Sequence, residues 1–180
     1  MRLLVHACCG PCLAAPAREL AAEGHDVVAY WYNPNVQPYR EYRQRLEAFR
    51  ELAGREGWPA VVDDVYDVDY FLRDVARARE GRCPRCYYDR LRHAARRAAA
   101  EECQAFTTTL LISPHQDHAA VREAGERAAA EGVAFFYRDF RPLDAESHRL
   151  AREAGLYLQG YCGCLYSEEE RYRKRRGPRG

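Results

Sequence analysis

No apolar run in this 180-residue chain approaches the roughly 20 residues needed to cross a bilayer, which excludes a helical membrane span. The opening MRLLVHACCGPC has one arginine and a short apolar stretch. It lacks the long apolar region and small-residue cleavage site of a secretory leader, so the expected compartment is the cytoplasm. Charge of one sign is missing as well: the net value is +1, and no global field marks a partner. Lysine is nearly absent, and the basic residues are almost all arginine. No internal repeat, low-complexity linker or domain boundary breaks the chain, so a single domain over residues 1–180 is expected. Missing too is a Ser/Gly-rich loop after the first apolar run. Cys8, Cys9, Pro11 and Cys12 stand where such a phosphate cradle would be, which argues against ATP use.

What is present suits a globular protein with a real core, since 47% of residues are apolar and 31% charged. Short apolar runs alternate with helix-like stretches. Strands are expected at 3–6, 26–32, 60–63, 105–111 and 133–137. Helices are expected at 13–23, 39–56, 68–80, 84–102, 116–131 and 144–154, with a last charged helix after Cys164. Gly24 and Gly155 read as helix stops, and Pro84 sits in a favoured first turn. Alternation of this kind implies an α/β fold: a parallel, Rossmann-like sheet with helices on its faces in three layers. Ligands of such sheets sit beyond the carboxyl ends of the strands.

Eight cysteines are many for a reducing compartment, where metal or redox chemistry is favoured over disulfides. Seven fall in three short groups: Cys8-Cys9-Gly10-Pro11-Cys12, Cys83-Pro84-Arg85-Cys86 and Cys162-Gly163-Cys164. The first follows strand one, and the second opens a helix. Helix N-termini present free N–H groups and partial positive charge, which favour thiolates. Core cysteines would be scattered singly, and only Cys103 fits that description. Spacing alone leaves a four-cysteine zinc site and an iron–sulfur cluster both open. Zinc would leave three clustered thiols without a role, so the balance tilts to iron–sulfur.

The motifs HACCGPC, YNPN followed by EYRQR, RCPRCYYDRL, FTTTLLISPHQDH and YCGC occur in that order. Together they resemble the cobalamin-independent epoxyqueuosine reductase family, from Leu3 to about Ser167. The resemblance implies a single catalytic domain with a fold like the adenine nucleotide alpha-hydrolases. It implies reduction of epoxyqueuosine in tRNA to queuosine, an unidentified electron donor, and no cobalamin. By the same resemblance Cys8, Cys9, Cys83 and Cys86 would hold a [4Fe-4S] cluster. Cys162 and Cys164, with Cys12 as a candidate third member, would form a redox-active disulfide or hold an additional iron ion.

Removing an epoxide oxygen needs protons as well as electrons. His115, Asp117 and His118 follow strand four and are candidate proton donors, with helix capping the competing role for Asp117. Asn33, Asn35, Tyr39, Tyr42 and Arg43 follow strand two and are candidate substrate contacts, against plain helix packing for the two tyrosines. Tyr87, Arg90 and a basic tail from about 171 are candidate contacts to an anticodon-loop backbone. Two other readings fit the cysteines: a zinc-stabilised RNA-binding module and a thiol–disulfide oxidoreductase.

Overall fold

A computed structural model describes residues 1–70, 72–73 and 81–173. Five parallel strands, β1 (Arg2–His6), β2 (Asp26–Trp31), β3 (Ala60–Val62), β4 (Ala105–Thr108) and β5 (Ala134–Phe135), form one sheet in the order β3-β2-β1-β4-β5. Central β1 aligns Val5 with Ala29 on one side and Thr107 on the other. Its Leu3, Leu4 and Val5 are fully buried, as a strand covered on both faces requires. Seven helices accompany the sheet among the described residues: α1 (Gly10–Ala22), α2 (Tyr39–Glu56), the single turn α3 (Val68–Tyr70), α4 (Arg82–Ala100), α5 (His118–Ala129), α6 (Asp144–Glu153) and α7 (Leu165–Arg173). Contacts of α1 with α2 and α6, and of α4 with α5, place these helices in two layers flanking the sheet. This is the expected three-layer α/β architecture.

Strand order reverses between β1 and β4, so the crevice above their carboxyl ends is the natural ligand position. Buried His6 marks it. Its Nε2 donates to Tyr32 O at 3.1 Å, and Nδ1 then accepts from the Thr108 hydroxyl at 2.9 Å.

Most expected elements lie within two or three residues of the observed ones. One strand differs in length: 105–111 was expected, but β4 stops at Thr108 and a 3-10 turn occupies Thr109–Ile112. The Thr108 hydroxyl accepts from Leu110 N at 3.2 Å and so caps that turn. Of the helix expected at 68–80, residues 71 and 74–80 lie outside the described residues, as do residues 174–180 of the basic tail. Among the described residues no helix is long and apolar enough to cross a membrane.

Candidate metal and redox site

The turn after β1 carries the first cysteine group directly onto the start of α1. Cys9 is the helix N-cap, and its sulfur accepts from Cys12 N at 3.3 Å. Gly10 is required here by close approach, because a Cβ would stand 2.5 Å from Ala48 O of α2. The Cys8 and Cys9 sulfurs lie 3.9 Å apart, and all three sulfurs of Cys8, Cys9 and Cys12 lie within 4.8 Å of one another. Thr109 holds Cys8 from the β4 side: its hydroxyl accepts from Cys8 N at 3.0 Å and donates to Cys8 Sγ at 3.2 Å. Gln159 Nε2 donates to Cys12 Sγ at 3.3 Å.

The third group is held by α2. Buried Arg45 pairs with buried Glu41 at 2.7 Å, and donates to Tyr161 O at 2.8 Å and Cys162 O at 3.1 Å. Gln37 N donates to Gly163 O at 2.7 Å. Gly163 takes φ +123°, a backbone state that side chains rarely adopt, and a Cβ there would stand 2.9 Å from Val36 Cγ2. The Cys162 and Cys164 sulfurs are 3.9 Å apart, unbonded, with Cys162 exposed and Cys164 buried.

These loops enclose a cavity of about 660 Å³ lined by Cys8, Cys12, Cys83, Cys162 and Cys164. A smaller adjoining cavity is lined by Cys83, Cys86, Cys162 and Cys164 together with Arg90 and Asn35. Seven cysteines from three distant stretches therefore meet at the carboxyl edge of the sheet. Cys103 stays apart, buried in the core.

The first and third groups each hold one thiol poised to ionise. Hydrogen bonds from Cys12, Cys9 and Thr109, with Arg90 nearby, pull Cys8 well below the ordinary thiol range. A hydrogen bond from Cys164, again aided by Arg90, pulls Cys162 down to about 5 and pushes Cys164 up. Burial raises Cys86 to about 11 and also raises Cys83. Burial, with Arg90 beside it, lowers His6 to about 4 and keeps it neutral.

The donor set fits a thiolate-bound metal group. Tetrahedral binding to one zinc-like ion, at about 2.3 Å per sulfur, would put sulfurs roughly 3.8 Å apart. Cys8 with Cys9, and Cys162 with Cys164, stand at 3.9 Å. A cubane cluster attaches each thiolate to a different iron and spreads the four sulfurs more widely. Cys8 and Cys9 stand closer than that spacing, while Cys83 and Cys86 stand outside the close triad and Cys83 borders both cavities.

The other expected site residues divide. His115 is exposed and lines the larger cavity. Asp117 caps α5, accepting from Ala120 N at 3.1 Å, and His118 donates to Ser113 O at 3.3 Å; neither lines a cavity. Tyr87 lines both cavities and donates to Gln116. Asn35 lines the smaller one. Asn33 is buried between Ala7 O and Arg90, and Tyr42 is buried against Trp31. Tyr39 is exposed beside Tyr66, and Arg43 pairs with Asp64 on the surface; none of these four lines either cavity. Arg90 is 4% exposed and faces inward, a position unsuited to an RNA backbone. Sequence reasoning missed Arg45, Thr109, Asp144, His148, Gln159 and Tyr161. For Arg45 a signal existed, since it lies within EYRQR one helical turn after Glu41.

A family model described as "Epoxyqueuosine reductase QueH" matches residues 3–170. Relatives carrying that name include one from Dehalococcoides mccartyi, 38% identical over 98% of this chain and 98% of its own length. Another, from Thermotoga maritima, is 33% identical over 96% of this chain and 93% of its own. Among solved structures, one titled as a predicted subunit of tRNA methyltransferase from Methanocaldococcus jannaschii aligns with TM-score 0.50 at 14% identity, covering 87% of this chain and 89% of that one. That likeness concerns the fold alone. Near-full-length matches on both chains, with the clustered cysteines inside the matched region, establish that this chain belongs to the epoxyqueuosine reductase QueH family.

Proposed function

We propose that this chain, acting as one catalytic domain over residues 1–180, reduces the epoxide of epoxyqueuosine in tRNA to the alkene of queuosine. The observation that supports this most is the meeting of three cysteine groups at the switch point of the sheet, where six thiols line two adjoining cavities and Cys9 stands beside Cys8. Deoxygenating an epoxide takes two electrons and two protons and releases water. The Cys162–Cys164 dithiol matches that demand. Closing it to a disulfide gives up two electrons and two protons as both C–O bonds break and the alkene forms. A disulfide across one intervening residue closes a strained ring, which favours its later reduction by an external one-electron or two-electron donor. When bound by Cys8, Cys9, Cys83 and Cys86, a [4Fe-4S] cluster supplies electrons one at a time. Cys162 and Cys164, with Cys12, form the set that would instead hold an additional iron.

Other residues serve the substrate. Arg45 fixes the loop that carries the dithiol. His115, Asp144 and His148 face the larger cavity and are placed to move protons there. Tyr87 and Tyr161 offer ring surface to a base splayed out of the anticodon loop. The close spacing of Cys8, Cys9 and Cys12 favours a second reading, a zinc-stabilised RNA-binding module.

Iron and acid-labile sulfide measured on protein purified without oxygen, followed by turnover of epoxyqueuosine-tRNA with dithionite, tests both. The expected result is about four of each per chain and conversion to queuosine. Stoichiometric zinc without sulfide, and no conversion, would overturn the reductase in favour of the binding module.

A further inference from the structure

Two arginines are buried beside the cysteines, and they are compensated differently. Arg45 has Glu41 at 2.7 Å and two backbone carbonyls. Arg90 donates only to the neutral side chain of Asn33, at 3.1 Å. Among the described residues no carboxylate pairs with it, and its Nε has no partner. A buried cation left without an anion is costly and persists only where something else supplies negative charge. Four thiols share its cavity, Cys83, Cys86, Cys162 and Cys164, together with Arg82, Tyr87 and Gln116, and no carboxylate lines it. Asn35, 2% exposed, lines the same cavity with its Oδ1 unpartnered. An amide in either orientation there is a polar group awaiting a ligand.

We infer that Arg90 is the fixed countercharge of the thiolate-bound metal centre, a positioning residue that tightens metal binding and raises the centre's reduction potential through its charge and its free N–H. The inference rests on reading the clustered thiols as metal ligands. Thiolates that bind a metal keep net negative charge, and the guanidinium neutralises part of it at a place no solvent reaches. Positive charge and hydrogen bonds near sulfur stabilise the more negative, reduced state, so they shift the potential upward. Arg90 lies on α4, one turn beyond Cys86, so the helix that brings one thiol pair also brings the cation.

Zn²⁺ affinity of the metal-free full-length protein, by competition with a chromophoric chelator, isolates the charge. Arg90→Met should weaken binding by about tenfold or more, the effect of roughly 1.4 kcal/mol. Arg90→Lys should stay within about threefold of the parent, because it keeps the charge while changing the contact to Asn33. In iron-loaded protein, a redox titration should give a more negative midpoint for Arg90→Met and a nearly unchanged one for Arg90→Lys. Equal loss in both variants, no loss in Arg90→Met, or failure of both to fold would overturn the inference and leave Arg90 a structural residue. The zinc measurement stands apart from the function proposed above. If the chain held no iron, a tenfold difference between Met and Lys would still support the countercharge.

Discussion

Cys162 and Cys164 show how much two residues of one type can differ. They share a loop, yet Cys162 is an exposed residue whose thiol is held as thiolate, and Cys164 is a buried residue whose thiol is held protonated. A thiolate is the reactive form, so alkylation of metal-free protein should fall first on Cys162. The sign follows from the shift. With its pKa lowered to about 5, Cys162 stays ionised from pH 9 down to about 6, and labelling should slow only as pH approaches 5. An ordinary thiol would already be slowing well above neutrality. Peptide mass mapping of the labelled sites against pH checks this, and preferential labelling of Cys164 would contradict it. The cysteines were legible in sequence because motif and spacing name them directly. Arg45 and Arg90 were not recognised as internal residues, because burial of an arginine depends on partners 57 to 117 positions away, such as Asn33 and Cys162.

At the scale of elements, α1 carries a device that only the folded chain shows. Pro16 inside it has no amide to donate, and the first turn is opened further by a side chain from α6. The Ser147 hydroxyl donates to Pro11 O at 2.8 Å and accepts from Ala15 N at 3.0 Å, bridging two groups that a regular helix would pair. It thereby fastens α6 to the turn that holds Cys12, and sets Asp144 and His148 beside the cavity. Ser147→Ala leaves a buried amide and carbonyl without their bridge and should cost about 1–3 kcal/mol, read from denaturant unfolding. A loss under about 0.5 kcal/mol would mean that the two groups simply close on each other. The helices themselves were legible from apolar periodicity, and α2 matches its expected bounds at both ends. The end of β4 was not, because TTTLLI reads as continuous β-forming sequence. Tertiary demand for the Thr109 hydroxyl at Cys8 accompanies the turn that ends it.

Across the whole molecule, the sheet and the site draw on different sources of stability. Strands β1, β2 and β4 are buried on both faces, mostly by aliphatic and aromatic side chains, and their cohesion needs no metal. The segments at 8–12, 83–86 and 159–164 share thiols facing the two cavities. A bound metal group would tie three stretches separated by more than 60 residues each, and it binds the folded state alone, so it should stabilise that state by linkage. Metal removal should therefore act locally first. Hydrogen exchange of protein before and after chelation is expected to speed in those three segments, while the amides of Leu4, Val28 and Phe106 remain protected. Exchange that rose equally along β1, β2 and β4 would show instead that the metal holds the whole fold, as in small zinc domains. The first outcome is the one the architecture favours, because 180 residues bury a core large enough to fold without a staple, which frees the carboxyl edge to be built for chemistry.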